Sequence, residues 1–118
     1  MWLFTETGFV SAVRKADRPD VYTVRSRDRR SLEPLAAMAR VEIVVSPLGD
    51  YPYRVFVEPA VFTEWVADQA SQIEYHNFKS RVSLTRGLDY TNALHEVWVA
   101  MLKTEDASRE QLAQESNK

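Results

Sequence analysis

The residues of this chain best suited to chemistry are arginines on an alternating segment, Tyr22-Thr23-Val24-Arg25-Ser26-Arg27. Residues two apart on a strand share a face, so Thr23, Arg25 and Arg27 point one way and Tyr22, Val24 and Ser26 the other. Arg14, on the strand expected to pair with this one, could join the basic side. Guanidiniums on a flat ribbon with aromatic rings nearby can hold phosphates or stack on bases. A plainer purpose fits the same pattern, because charges on a solvent-facing strand discourage edge-to-edge aggregation. These arginines could also pair with Glu42, Glu58 or Glu64 inside the fold.

A second cluster, Tyr75-His76-Asn77-Phe78-Lys79, concentrates a phenol, an imidazole, an amide and an amine, the groups used in general acid–base catalysis. Tyr75, Asn77 and Lys79 are its candidate functional residues. Sequence neighbours do not share a helix face, however, and no spaced carboxylate or nucleophile completes a triad. The plainer assignment has Asn77 capping backbone groups, Phe78 packing under a sheet and Lys79 in an ion pair or helix-end contact.

Other chemistries are excluded more firmly. His76 and His95 lack the i, i+4 spacing of a helical metal pair. Cysteine is absent, which removes disulfides, thiolate nucleophiles and Cys-based zinc sites. The three glycines, at positions 8, 49 and 87, cannot build a phosphate-cradling loop. No catalytic residue, metal or cofactor is therefore expected. Trp2, Trp65 and Trp98 fall in different elements and are expected to anchor one core; an exposed Trp2 would instead be an interface anchor.

The elements that must position these groups follow from apolar spacing. A first strand is expected within 2–6, resuming at 8–14 with a kink or bulge at Gly8. A second covers about 21–27, after a polar loop at 16–20, so the pair reads as a hairpin. Asp28 or Ser31 can cap a short helix through Leu32, Leu35, Ala36, Met38 and Ala39, with Pro34 in its first turn. Val41–Val45 is the third strand and Tyr53–Val57 the fourth, across a turn at 47–50. Pro59 opens a longer helix with Phe62, Trp65, Val66 and Ile73 on one face. Residues 75–88 read as a helix end and connectors, and Asp89 as the cap of a last helix bearing Tyr90, Leu94, Val97, Trp98, Met101 and Leu102.

This order, ββαββαα, predicts an α+β two-layer sandwich, a mostly antiparallel four-stranded sheet with helices on one face. Residues 1–103 form its single domain, and the polar segment 104–118 is expected to fray because it cannot offset its ordering entropy. At 118 residues the chain can bury a core without staples. No segment approaches the roughly twenty apolar residues of a membrane span, and the first residues lack a basic region followed by an apolar h-region because Glu6 interrupts the first apolar run, so the expected setting is cytoplasmic. Formal net charge is −2, yet the signs are sorted. Residues 1–30 carry seven basic and four acidic groups, whereas residues 42–74 carry Arg54 against six carboxylates. Such polarity could orient a partner or a second copy.

Five short motifs recur in a known order: Trp2-x-Phe4-Thr5-x-x-Gly8-Phe9-x-Ser11-x-Val13, Val24-Arg25-x-Arg27, Asp50-Tyr51-x-Tyr53-Arg54, Asn77-Phe78-Lys79 and Val97-Trp98. Together, over about residues 1–102, they resemble a family of small actinobacterial and actinophage α+β proteins. That resemblance implies an α+β fold and a cytoplasmic setting; the family carries no assigned activity and so lends no catalytic residues. The functional expectation is a non-enzymatic module that binds a protein partner or itself. The alternative is a nucleic-acid-binding protein using Arg14, Thr23, Arg25 and Arg27 on the sheet.

Overall fold

Short-range turn chemistry makes two strands of the N-terminal apolar run. The computed structural model describes residues 1–116, and in it β1 (Trp2–Thr5) and β2 (Gly8–Val13) form a tight antiparallel hairpin. Thr5 pairs with Gly8 across the two-residue turn Glu6-Thr7, and the Thr5 hydroxyl accepts the Thr7 N–H at 3.3 Å. Gly8 sits at φ 146°, a conformation that side-chain-bearing residues rarely adopt. The glycine thus marks the hairpin closure, not a bulge in a single strand, and the sheet gains a fifth strand.

β3 (Tyr22–Ser26) continues the antiparallel meander beside β2. The ladder between them ends at Ser11–Arg25, and side chains then take over the Phe9 peptide groups. Ser26 Oγ donates to the Phe9 carbonyl at 2.6 Å, and Ser31 Oγ accepts the Phe9 N–H at 3.2 Å. The Asp28 carboxylate accepts both the Ser31 N–H and its hydroxyl, each at 2.9 Å. Asp28 therefore caps the turn ahead of α1 (Glu33–Ala39), whose own N-cap is Leu32 without a side-chain bond. That helix stops at Arg40, which takes the left-handed conformation at φ 57°.

The third strand expected at 41–45 shrinks to β4 (Val44–Val45), because Val41 and Ile43 turn partly into the core ahead of it. β5 (Tyr53–Val57) lies where alternation predicts. It pairs with β3 on one side and β4 on the other, so the sheet order is β1-β2-β3-β5-β4 and every pairing is antiparallel. The chain leaves β3, passes through α1 to the far edge, and only then returns to fill the gap.

α2 (Pro59–Ser71) starts at a proline whose missing N–H costs nothing in the first turn. Its Phe62 and Trp65 join Leu32, Leu35 and Ala36 over the Val10, Ala12, Val24, Val55 and Val57 side of the sheet. Each fully buried Val or Leu there contributes about 1.5–3 kcal/mol. One face of the sheet is thus covered by α1 and α2, and the fold is α+β.

The chain divides into two compact units, Met1–Phe78 and Lys79–Lys118, so residues 1–103 span the first and part of the second. The second unit carries most of α3 (Phe78–Arg86), then α4 (Leu88–Leu102) and α5 (Asp106–Ser116). α3 falls where connectors are expected: its polar sequence buries only Val82, which leaves little apolar period to detect. α4 begins one residue before Asp89, after Gly87 at φ 87° and ψ 178°, and Asp89 lies in its first turn without capping it. α5 occupies 106–116 of the segment expected to fray; Asn117 and Lys118 lie outside the described residues. No helix is long and apolar enough to cross a membrane among the described residues.

Candidate functional site

The sheet face turned away from α1 and α2 collects the arginines. Strand register places Trp2, Ser11, Arg25, Arg54 and Val44 in one row across all five strands. Phe4 and Phe9 pair in a neighbouring row, and Val13, Thr23 and Phe56 in another. No strand position on this outer face carries a carboxylate.

Arg25 and Arg54 are directly opposed on β3 and β5. Arg25 donates to Ser11 Oγ at 2.9 Å, and its guanidinium lies 4.6 Å from the centre of the Tyr51 ring. Arg54 packs beneath the 46–52 loop, close enough that a Cβ on Gly49 would stand 3.0 Å from its guanidinium. Neither arginine has an acidic partner among the described residues. The Nε atoms of both are buried without a hydrogen-bond partner, as is Thr23 Oγ1. Like charges directly opposed on a sheet destabilise it, so this pair is held by its surroundings.

Arg27 also lies over Tyr51, at 4.3 Å, but is exposed and pairs with Asp50 at 3.2 Å. Arg18, from the β2–β3 loop, stacks on Phe56 at 3.9 Å. Trp2 is 70% exposed and meets Phe9 edge-on at 5.8 Å, with Phe4 4.8 Å from the same ring. It is no part of the core.

Of the four residues expected on the basic face, Thr23, Arg25 and Arg27 share it. Arg14 does not. Ala12 pairs with Val24, both in the core, so Arg14 falls on the helix side, its guanidinium 5.2 Å from the centre of the Tyr22 ring. Its place is taken by Arg54, which belongs to a strand remote in sequence and becomes visible only through the β3–β5 pairing.

The set Tyr75, Asn77 and Lys79 divides. Tyr75 contacts the Phe78 ring at 5.9 Å, and Asn77 is exposed ahead of α3. Lys79, on α3, approaches His95 Nδ1 at 3.3 Å and lies 5.3 Å from the Trp98 ring. His95 stacks on Trp98 at 5.7 Å. The lysine therefore joins the distant histidine and a tryptophan instead of His76, which is exposed. No group of three His, Asp or Glu is placed to hold a metal among the described residues.

No family model matches the chain, and neither a curated protein nor a solved structure matches it. The five motifs alone carry the resemblance noted above.

A further feature escaped sequence reasoning by being mistaken for core. Val97-Trp98-Val99-Ala100-Met101-Leu102, the end of α4, has no polar side chain over six residues. A run that long exceeds one helical turn and is apolar on every side. Yet Trp98 is 52% exposed and Met101 60%, with Val97, Val99 and Leu102 also exposed. Of the three tryptophans only Trp65 is buried in the core, at 1% exposure.

Proposed function

We propose that this chain is a non-enzymatic binding module that engages a second protein chain, whether another copy of itself or a different protein, through the apolar end of α4. The observation that carries this reading is the exposed run 97–102. A helix apolar all round is normally buried, and a contiguous exposed patch centred on a tryptophan is the usual chemistry of a protein interface. We place the module in the cytoplasm, in keeping with its lack of cysteine.

The test is mass measured by light scattering across a wide concentration range, for the native chain and for Trp98→Glu with Met101→Glu. Self-association should appear in the native chain and be lost in the double variant. A native chain that stays monomeric at millimolar concentration, and retains the same lysate proteins as the variant, would overturn the proposal.

Nucleic-acid binding is the second reading, favoured by Arg25 and Arg54 lying without acids on a face that also bears Trp2, Phe4 and Phe9. Stacking aromatics beside guanidiniums suit single strands. Binding should weaken steeply with salt and disappear in Arg25→Ala with Arg54→Ala. The absence of any mobility shift with DNA or RNA at low salt would remove this reading.

A further inference from the structure

On the helix side of the sheet, where β2 and β3 meet α2, lies a cavity of about 360 Å³. Met1, Ala12, Tyr22, Phe62, Thr63 and Val66 line it. Tyr22 and Phe62 meet edge-to-face at 5.7 Å and form an aromatic corner. The adjoining core packs Trp65, Leu35 and Val55 at no more than 1% exposure. The cavity is partly open to solvent, so its apolar walls face water until a ligand covers them. Its volume falls at the lower end of the range for small-molecule sites.

Among the described residues Arg14 is the one charged side chain at this cavity, and the Met1 ammonium, which donates to the Ala12 carbonyl at 2.9 Å, belongs to the same lining. Arg14 lines it and rests over the Tyr22 ring, with no acidic partner among the described residues. The Thr63 hydroxyl donates to the Pro59 carbonyl at 3.0 Å, which leaves its oxygen able to accept. An apolar cavity bordered by a guanidinium suits a ligand with a hydrocarbon body and an anionic end. The planar fork of arginine matches the two oxygens of a carboxylate, whereas the Met1 ammonium is already engaged by the Ala12 carbonyl.

We propose that this cavity is a binding site for a small amphipathic carboxylic acid, with its carboxylate on Arg14 and its hydrocarbon against Phe62 and Val66. The site lies apart from the α4 surface in sequence and chemistry and does not depend on the interface proposed above.

Octanoate titrated into the full chain and followed by amide chemical shifts provides the test, with octanol as the uncharged control. Octanoate should bind saturably and shift the amides of Ala12, Tyr22, Phe62 and Val66. Octanol should shift the same amides with roughly tenfold weaker binding, since a charge-assisted pair is lost. Arg14→Gln should reduce octanoate to the octanol level while leaving octanol unchanged. Val66→Trp, which fills the cavity, should abolish both, and Trp98→Glu should leave octanoate binding intact. Shifts confined to α4, equal octanoate affinity in Arg14→Gln and the native chain, or no saturable shift at millimolar octanoate would each overturn the proposal.

Discussion

Replacing Arg54 by glutamine should stabilise the protein at low salt, against the common rule that substitutions inside a sheet cost stability. Arg54 faces Arg25 directly across the β3–β5 ladder, and neither guanidinium is neutralised by an acid among the described residues. Directly opposed residues hold their Cβ atoms about 5 Å apart. At such a spacing two unit charges repel by about 0.8 kcal/mol in bulk water and about 3 kcal/mol at an effective dielectric constant of 20. Both side chains are only half-buried and long enough to splay, which keeps the repulsion near the lower figure, at about 0.5–1 kcal/mol. Glutamine keeps part of the stem and removes the charge, and Arg54 makes no hydrogen bond or ion pair that would be lost. Urea unfolding in about 10 mM salt should therefore find Arg54→Gln more stable by roughly 0.5 kcal/mol or more. In 1 M salt, where the Debye length is about 3 Å, that advantage should vanish. Arg27→Gln is the control of opposite sign, because it breaks the exposed pair with Asp50 and should cost a few tenths of a kcal/mol at low salt. A difference between Arg54→Gln and the native chain that does not change with salt would refute the electrostatic account of the pair.

Two further perturbations test the scaffold around that face. Ser26→Ala leaves the Phe9 carbonyl without its 2.6 Å donor and should lower unfolding stability by about 1–3 kcal/mol, measured by urea titration. The left-handed positions should respond in opposite directions in thermal melts: Arg40→Gly at φ 57° should gain up to about 1 kcal/mol, while Gly87→Ala at φ 87° and ψ 178° should lose about 1–3 kcal/mol. No atom lies within 4 Å of a Cβ built on Gly87, so a loss there reports backbone conformation and not crowding.

Where local pattern decides structure, the chain is legible. β5 falls on Tyr53–Val57 as its β-branched alternation predicts, and α2 starts at Pro59 with Phe62 and Trp65 inward. The hairpin at Glu6-Thr7 is hidden because that dipeptide carries neither Asn nor Gly, and the glycine that closes it looks like a bulge. α3 is hidden for want of apolar period, since only Val82 is buried in it. At the site, alternation alone puts Thr23, Arg25 and Arg27 together. The face of Arg14 depends on the register between β2 and β3, which the intervening loop does not declare. Arg54 comes from nearly thirty residues away, through a long-range pairing that no window of sequence contains. The tryptophans mislead for a related reason: hydrophobicity is a property of the residue, while Trp2 and Trp98 are exposed by their places on an outer face and a helix end.

The insertion of β5 between β3 and β4 has a consequence for how the chain is made. During synthesis, β1, β2 and β3 can zip into a meander as soon as Ser26 clears the ribosome, since each pairs with its neighbour in sequence. α1 and β4 emerge next, but β4 has no strand to lie against until Tyr53–Val57 follows. For that interval the outer edge of β3 is unpaired, and an unpaired edge is a template for other chains. The opposed arginines then bear on the nascent chain as well: Arg25 stands on that edge, alone and charged, during the stage at which two copies would otherwise stack together.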